Sequence, residues 1–78
     1  MSPAEILKLL HRRPFQPFRL HLSDGSHFDV KHPEMALVTR TSLAVGVPGK
    51  EAEDLAESLD IISWLHIVRL EVLQSAVA

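Results

Sequence analysis

Five histidines, His11, His21, His27, His32 and His66, are the side chains with the widest chemical range in this 78-residue chain. Imidazole ligates transition metals, moves protons and changes charge near neutral pH, so the spacing of these residues comes first. His21 and His27 flank a turn-forming Ser23-Asp24-Gly25-Ser26. If the flanking segments pair as strands, the two rings face each other and could seat a transition metal such as zinc, with His32 or Asp29 as third ligand. No zinc spacing motif accompanies them. Zinc sites take three or four ligands with supporting hydrogen bonds, so solvated surface histidines are the simpler account, and no cofactor is expected. A paired-histidine surface would still respond to pH.

Ser23, Ser26 and His27 near Asp24 bring hydroxyl, imidazole and carboxylate together, yet each is explained better as a hydrogen-bonding turn residue. Asp24-Gly25 is likewise turn chemistry, since no glycine-rich phosphate loop accompanies it. A chain of this length also has little room to enclose a catalytic pocket. A non-enzyme is the expectation.

The formal charge of −2 hides an uneven distribution. Lys8, Arg12, Arg13 and Arg19 oppose Glu5 in the first part of the chain, whereas Glu51, Glu53, Asp54, Glu57 and Asp60 oppose Lys50 later. The four early cations, with Arg40, are the candidate phosphate contacts. A nucleic-acid binder usually carries a dominant basic stripe, and solvated charges on a helix and a loop account for these residues without one.

The elements that must position these groups follow from periodicity. Phe18, Leu20 and Leu22, then Phe28 and Val30, alternate with Arg19, His21, His27, Asp29 and Lys31, which marks two half-buried strands. A two-residue Asp-Gly loop would set apolar residues against polar ones. A three-residue loop of Ser23, Asp24 and Gly25 instead pairs Phe18 with Val30, Arg19 with Asp29, Leu20 with Phe28 and His21 with His27, with Gly25 left-handed in a type I turn plus bulge. Upstream, Ser2, Pro3 and Glu5 form a capping-box start for a helix over residues 2–13, with Ile6, Leu7, Leu9 and Leu10 as its apolar side and Pro14 as its stop.

Downstream, His32-Pro33-Glu34 predicts a bend in a long second strand, because proline cannot donate to a ladder. Residues 35–39 and 42–47 read as extended, and residues 48–59 as an acidic loop or short helix with Ala52, Leu55, Ala56 and Leu59 at helical spacing. In residues 61–73 the alternation changes phase near Leu65, which predicts two short strands joined by a tight turn. Residues 75–78 read as a frayed tail.

The whole is one domain over residues 1–78: a short N-terminal helix, then a mainly β region over 17–73. It is either a five-stranded, strongly bent antiparallel sheet or a small SH3-like or Sm-like barrel. No stretch approaches the roughly 18 apolar residues of a membrane span, and there is no signal-peptide run, so a cytoplasmic location is expected. With no cysteine there is no disulfide framework.

Pro14-Phe15-Gln16-Pro17-Phe18-Arg19, Leu22-Ser23-Asp24-Gly25, His32-Pro33-Glu34 and His66-Ile67-Val68-Arg69-Leu70-Glu71 together resemble a family of short, uncharacterised bacterial proteins, over roughly residues 13–71. The resemblance implies a stand-alone small bacterial protein and carries no activity, cofactor or site residue with it. The element order is similar to that of SH3-like barrels, and the leading helix to the Sm-like version, a likeness of fold and not of function.

Two functions are therefore expected in order. The first is a non-catalytic protein-interaction module, self-associating or bound to a protein partner, in which residues 61–73 pair with a neighbour's edge. The second is an Sm-like nucleic-acid binder using Lys8, Arg12, Arg13 and Arg19, weakened by having only three phenylalanines and one tryptophan for base stacking. His32 and Glu34 could form a binding loop, although a strand bend explains them. Trp64 is a core or subunit-interface anchor, or else an exposed binding aromatic.

Overall fold

The computed structural model describes residues 1–52 and 55–73. Helix α1 spans Pro3–Leu10, with proline in its first turn, where a missing N–H costs nothing. The capping box does not form: the Glu5 amide donates to the Ser2 carbonyl at 3.2 Å, but the Ser2 hydroxyl makes no cap bond. The helix also stops short of Arg13. It buries Ile6 and Leu10 while Leu7 stays exposed, so the apolar stripe is narrower than its leucines suggest. Among the described residues no helix is long and apolar enough to cross a membrane.

Among the described residues six strands follow: β1 (Phe18–Leu22), β2 (His27–Val30), β3 (Ala36–Val38), β4 (Ser42–Pro48), β5 (Ala56–Ser63) and β6 (Ile67–Val72). They form two antiparallel three-stranded sheets, in the orders β2-β1-β6 and β3-β4-β5. The mainly β, antiparallel character matches expectation, and among the described residues the strands pair as two sheets that no backbone ladder joins or closes. The reason lies at His32-Pro33. The expected bend there is a full 3-10 turn, Pro33–Met35, in which the Met35 amide donates to the His32 carbonyl at 3.0 Å. That turn divides the long second strand into β2 and β3 and sends the halves into different sheets.

The first hairpin keeps the register that its side-chain alternation demands: Phe18 opposite Val30, Arg19 opposite Asp29, Leu20 opposite Phe28 and His21 opposite His27. Its turn is closed by the Gly25 amide donating to the Leu22 carbonyl at 3.0 Å and the Leu22 amide donating to the Ser26 carbonyl at 2.8 Å. Gly25 has φ +90°, a region that side chains with a Cβ disfavour.

The acidic segment differs most from expectation. The helical spacing of Ala52, Leu55, Ala56 and Leu59 loses to pairing with β4. There, Val47 lies opposite Ser58, Val45 opposite Asp60 and Leu43 opposite Ile62, and β5 already begins at Ala56. The connector is short, tied by the Gly49 amide to the Leu55 carbonyl and by the Leu55 amide to the Ala52 carbonyl. The part of the loop-or-helix expectation that falls on residues 53–54, and the expected frayed tail, lie outside the described residues. The phase change after Ser63 is a second 3-10 turn, Trp64–His66, with the Ser63 hydroxyl accepting from the Leu65 amide.

The core lies between the sheets and beneath the helix. It comprises Phe18, Leu20 and Val30 from the first sheet, Leu43, Val45 and Ile62 from the second, Ile6 and Leu10 from α1, and Trp64 and Ile67 at the second 3-10 turn. Each such side chain contributes about 1.5–3 kcal/mol by leaving water. A domain of this size holds about 4–12 kcal/mol in all. Leu43→Ala should cost about 2–5 kcal/mol and Gly25→Ala about 1 kcal/mol, read as lowered urea midpoints. An unchanged midpoint for Leu43→Ala would mean that β4 does not face the core.

Candidate interaction surfaces

The outer face of the first sheet is a lattice of charges built by the hairpin register. Arg19 on β1 sits between Asp29 on β2 and Glu71 on β6. Its Nε donates to Asp29 Oδ1 at 2.6 Å and its Nη2 to Oδ2 at 3.1 Å, a two-pronged pair. That hydrogen bond holds the Asp29 carboxyl below the usual aspartate range, against the opposing effect of partial burial. His21 Nε2 lies 3.0 Å from Glu71 Oε1, and Arg69 Nη2 lies 3.8 Å from the same oxygen. The His21 contact is the main reason that the Glu71 carboxyl also lies below its ordinary value.

His21 and His27 do face each other, with ring centroids 6.2 Å apart. The partners named for a metal are otherwise engaged. Asp29 is clasped by Arg19, His21 meets Glu71, and His32 stands at the start of the first 3-10 turn. Among the described residues no group of three or more histidine or carboxylate side chains is arranged to hold a metal ion.

Lys8, Arg12, Arg13 and Arg40 are exposed, with Arg12 donating to the Gln16 side chain at 2.6 Å and Arg13 to the Arg12 carbonyl at 3.1 Å. Arg19 is half-buried and paired, which removes one cation from the proposed phosphate contacts. Trp64 is not an exposed binding aromatic. It is only 6% exposed, and its indole N–H donates to the Thr39 carbonyl at 3.0 Å. A tryptophan at the junction of the sheets fills more core volume than any neighbour could, and the carbonyl satisfies its one polar atom. His32 and Glu34 belong to the first 3-10 turn, His32 half-buried and Glu34 exposed.

Two features escaped sequence reasoning. The hairpin turn docks on the second 3-10 turn: the Ser23 amide donates to the His66 carbonyl at 2.8 Å, and Ser23 Oγ lies 3.3 Å from His66 Nδ1. Beside them Asp24 accepts from the Ser26 amide at 2.9 Å and the Ser26 hydroxyl at 2.6 Å, and the hydroxyl bond is the main cause of its lowered carboxyl pKa. Asp24 therefore serves the turn and does not orient His66 as a catalytic acid would.

The other missed feature is apolar. Leu59 and Ile61 on β5 are 64% and 70% exposed, Leu65 is 88% exposed and Val68 on β6 is 62% exposed. Among the described residues β5 pairs with β4 on one side only, and no other strand meets its second edge beside these side chains. The β-rich composition of residues 61–73 was the available signal, but it pointed past Leu59.

Compared with known proteins, the chain matches no family model, no curated protein and no solved structure.

The Arg19–Asp29 pair sets a pH dependence. Because the folded carboxylate titrates below its unfolded value, its contribution to stability is present above the ordinary aspartate range and is lost as pH falls through and below it. Asp29→Asn should lower the melting temperature by a few degrees at pH 7 and by less at pH 3, measured by circular dichroism. Equal losses at both pH values would show that the carboxylate's charge is not what matters.

Proposed function

We propose that this protein is a non-catalytic interaction module that self-associates along strand β5. One observation carries the proposal: an eight-residue strand that is at the edge of its sheet among the described residues, with two exposed aliphatic side chains, Leu59 and Ile61. Soluble proteins protect such edges with charged side chains, proline or a covering segment; this strand carries Glu57 and Asp60 but no lysine or proline, and its apolar stripe at Leu59 and Ile61 is left open. A second copy would supply both the missing hydrogen bonds and the apolar contact. The pairing order also supports an SH3-like or Sm-like architecture, because β2 and β3 can be taken as halves of one bent strand linking the two sheets. That architecture, the kinship with short bacterial proteins and a cytoplasmic setting belong to the same proposal.

Nucleic-acid binding of the Sm-like kind stands second. Exposed Lys8, Arg12, Arg13 and Arg40 favour it. Against it, Phe18 and Trp64 are in the core and Phe15 and Phe28 are half-buried, so few rings remain for base stacking.

Light-scattering mass across a size-exclusion peak, with absorbance at 260 and 280 nm, decides between these. A nucleic-acid-free dimer or larger assembly is expected. The double variant Leu59→Lys with Ile61→Lys should raise its dissociation constant at least about 100-fold, since two aliphatic contacts are lost and charges replace them. A wild-type protein that stays monomeric up to about 1 mM overturns the proposal, and co-purifying RNA released by Arg12→Ala and Arg13→Ala replaces it with the second.

A further inference from the structure

We infer that the groove between β2 and the far end of β4 takes a short, extended, acidic peptide, added as a strand to the free edge of β2. Successive residues of an antiparallel strand turn their N–H and C=O groups alternately to one side and the other. The bond from the Leu22 amide to the Ser26 carbonyl fixes that phase in the first hairpin, so Leu20 exchanges bonds with Phe28, and Phe18 with Val30. His27 and Asp29 consequently point their main-chain groups away from β1. Among the described residues no strand meets β2 on that side.

The opposite wall is open for a related reason. The bond from the Thr39 amide to the Ser42 carbonyl sets the phase of β3 against β4, so Ala44 and, by alternation, Gly46 turn their backbone groups towards β3. The ladder between β3 and β4 ends with Ala36 opposite Val45, and beyond it the 3-10 turn carries the chain away. Between the diverging walls lies a groove of about 520 Å³ lined by His27, Phe28, Asp29, Lys31, Val45 and Val47. Its size falls within the range of about 300–1,000 Å³ typical of binding clefts.

Charge selects the occupant. Arg19 clasps Asp29 with two hydrogen bonds, and among the described residues Lys31 and His27 make no ion pair of their own beyond the attraction of that same carboxylate. Along an added strand, alternate side chains lie on one face. Acidic ones would meet His27 and Lys31 on the outer face, and apolar ones would meet Phe28 and Val47 on the inner face. The site is separate from the β5 edge, so it does not depend on self-association.

The probe is a fluorescein-labelled, end-capped hexapeptide alternating glutamate and valine, followed by anisotropy and by amide chemical-shift mapping. Controls are the lysine–valine peptide and a glutamate–valine peptide with N-methylated backbone amides. The expected result is saturable one-to-one binding, at least about tenfold tighter than either control, because two or more backbone hydrogen bonds are lost on methylation. Shifts should centre on residues 27–31 and 45–49. His27→Glu with Lys31→Glu, at exposed positions, should weaken binding at least about fivefold while the amide dispersion of the folded protein persists. Three results overturn the proposal: no saturation, equal binding of the lysine–valine peptide, or shifts confined to residues 56–63 and 67–72. The last would place the peptide on the self-association edge instead.

Discussion

The backbone phase of the first hairpin is the constraint on which the rest of the structure depends. A strand's side chains alternate between faces, so a slip of one residue between β1 and β2 would turn one strand over relative to the other, carrying either Phe18 and Leu20 out of the core with Arg19 into it, or Val30 out with Asp29 into it. The turn at Ser23-Asp24-Gly25 prevents that slip with a left-handed glycine and an aspartate that accepts two bonds from Ser26. Everything on the outer face inherits the choice. Arg19 meets Asp29 because of it, His21 reaches Glu71 because of it, and the free backbone groups of β2 fall at His27 and Asp29 because of it.

The second constraint is proline. Pro33 has no amide hydrogen to offer a ladder, and the chain answers with a 3-10 turn that parts β2 from β3. The turn lets one continuous stretch serve two sheets whose inner faces enclose a shared core. Its geometric by-product is the opening between β2 and β4, where two strand edges diverge before either finds a further partner.

Local features were legible in the sequence and distant ones were not. The hairpin register, the glycine at positive φ, the Arg19–Asp29 pair and the turn between the last two strands all depend on residues close in sequence, where alternation and turn chemistry decide the outcome. The His21–Glu71 contact joins residues 50 positions apart and Ser23–His66 residues 43 apart, and no local pattern encodes such meetings. β5 shows the limit most clearly. Ala52, Leu55, Ala56 and Leu59 have helical spacing, yet a seven-residue strand, β4, stood ready as a template, and tertiary pairing overrode local preference. Trp64 was ambiguous for a different reason, since a tryptophan's role depends on whether a carbonyl such as that of Thr39 lies within reach of its N–H.

The pairing of β1 with β6 also governs the order of events during synthesis. β1 and β2 emerge from the ribosome early and can form their hairpin at once, but β1 gains its second neighbour only when Val72 arrives opposite Phe18. Closing so large a loop carries an entropic cost that grows with the logarithm of its length, and contacts between distant segments slow folding generally. Until then Phe18 and Leu20 have one flank uncovered, and the edge of β1 lies open in the nascent chain. A cell making this protein therefore depends on β6 to end a period of exposure that the first hairpin begins.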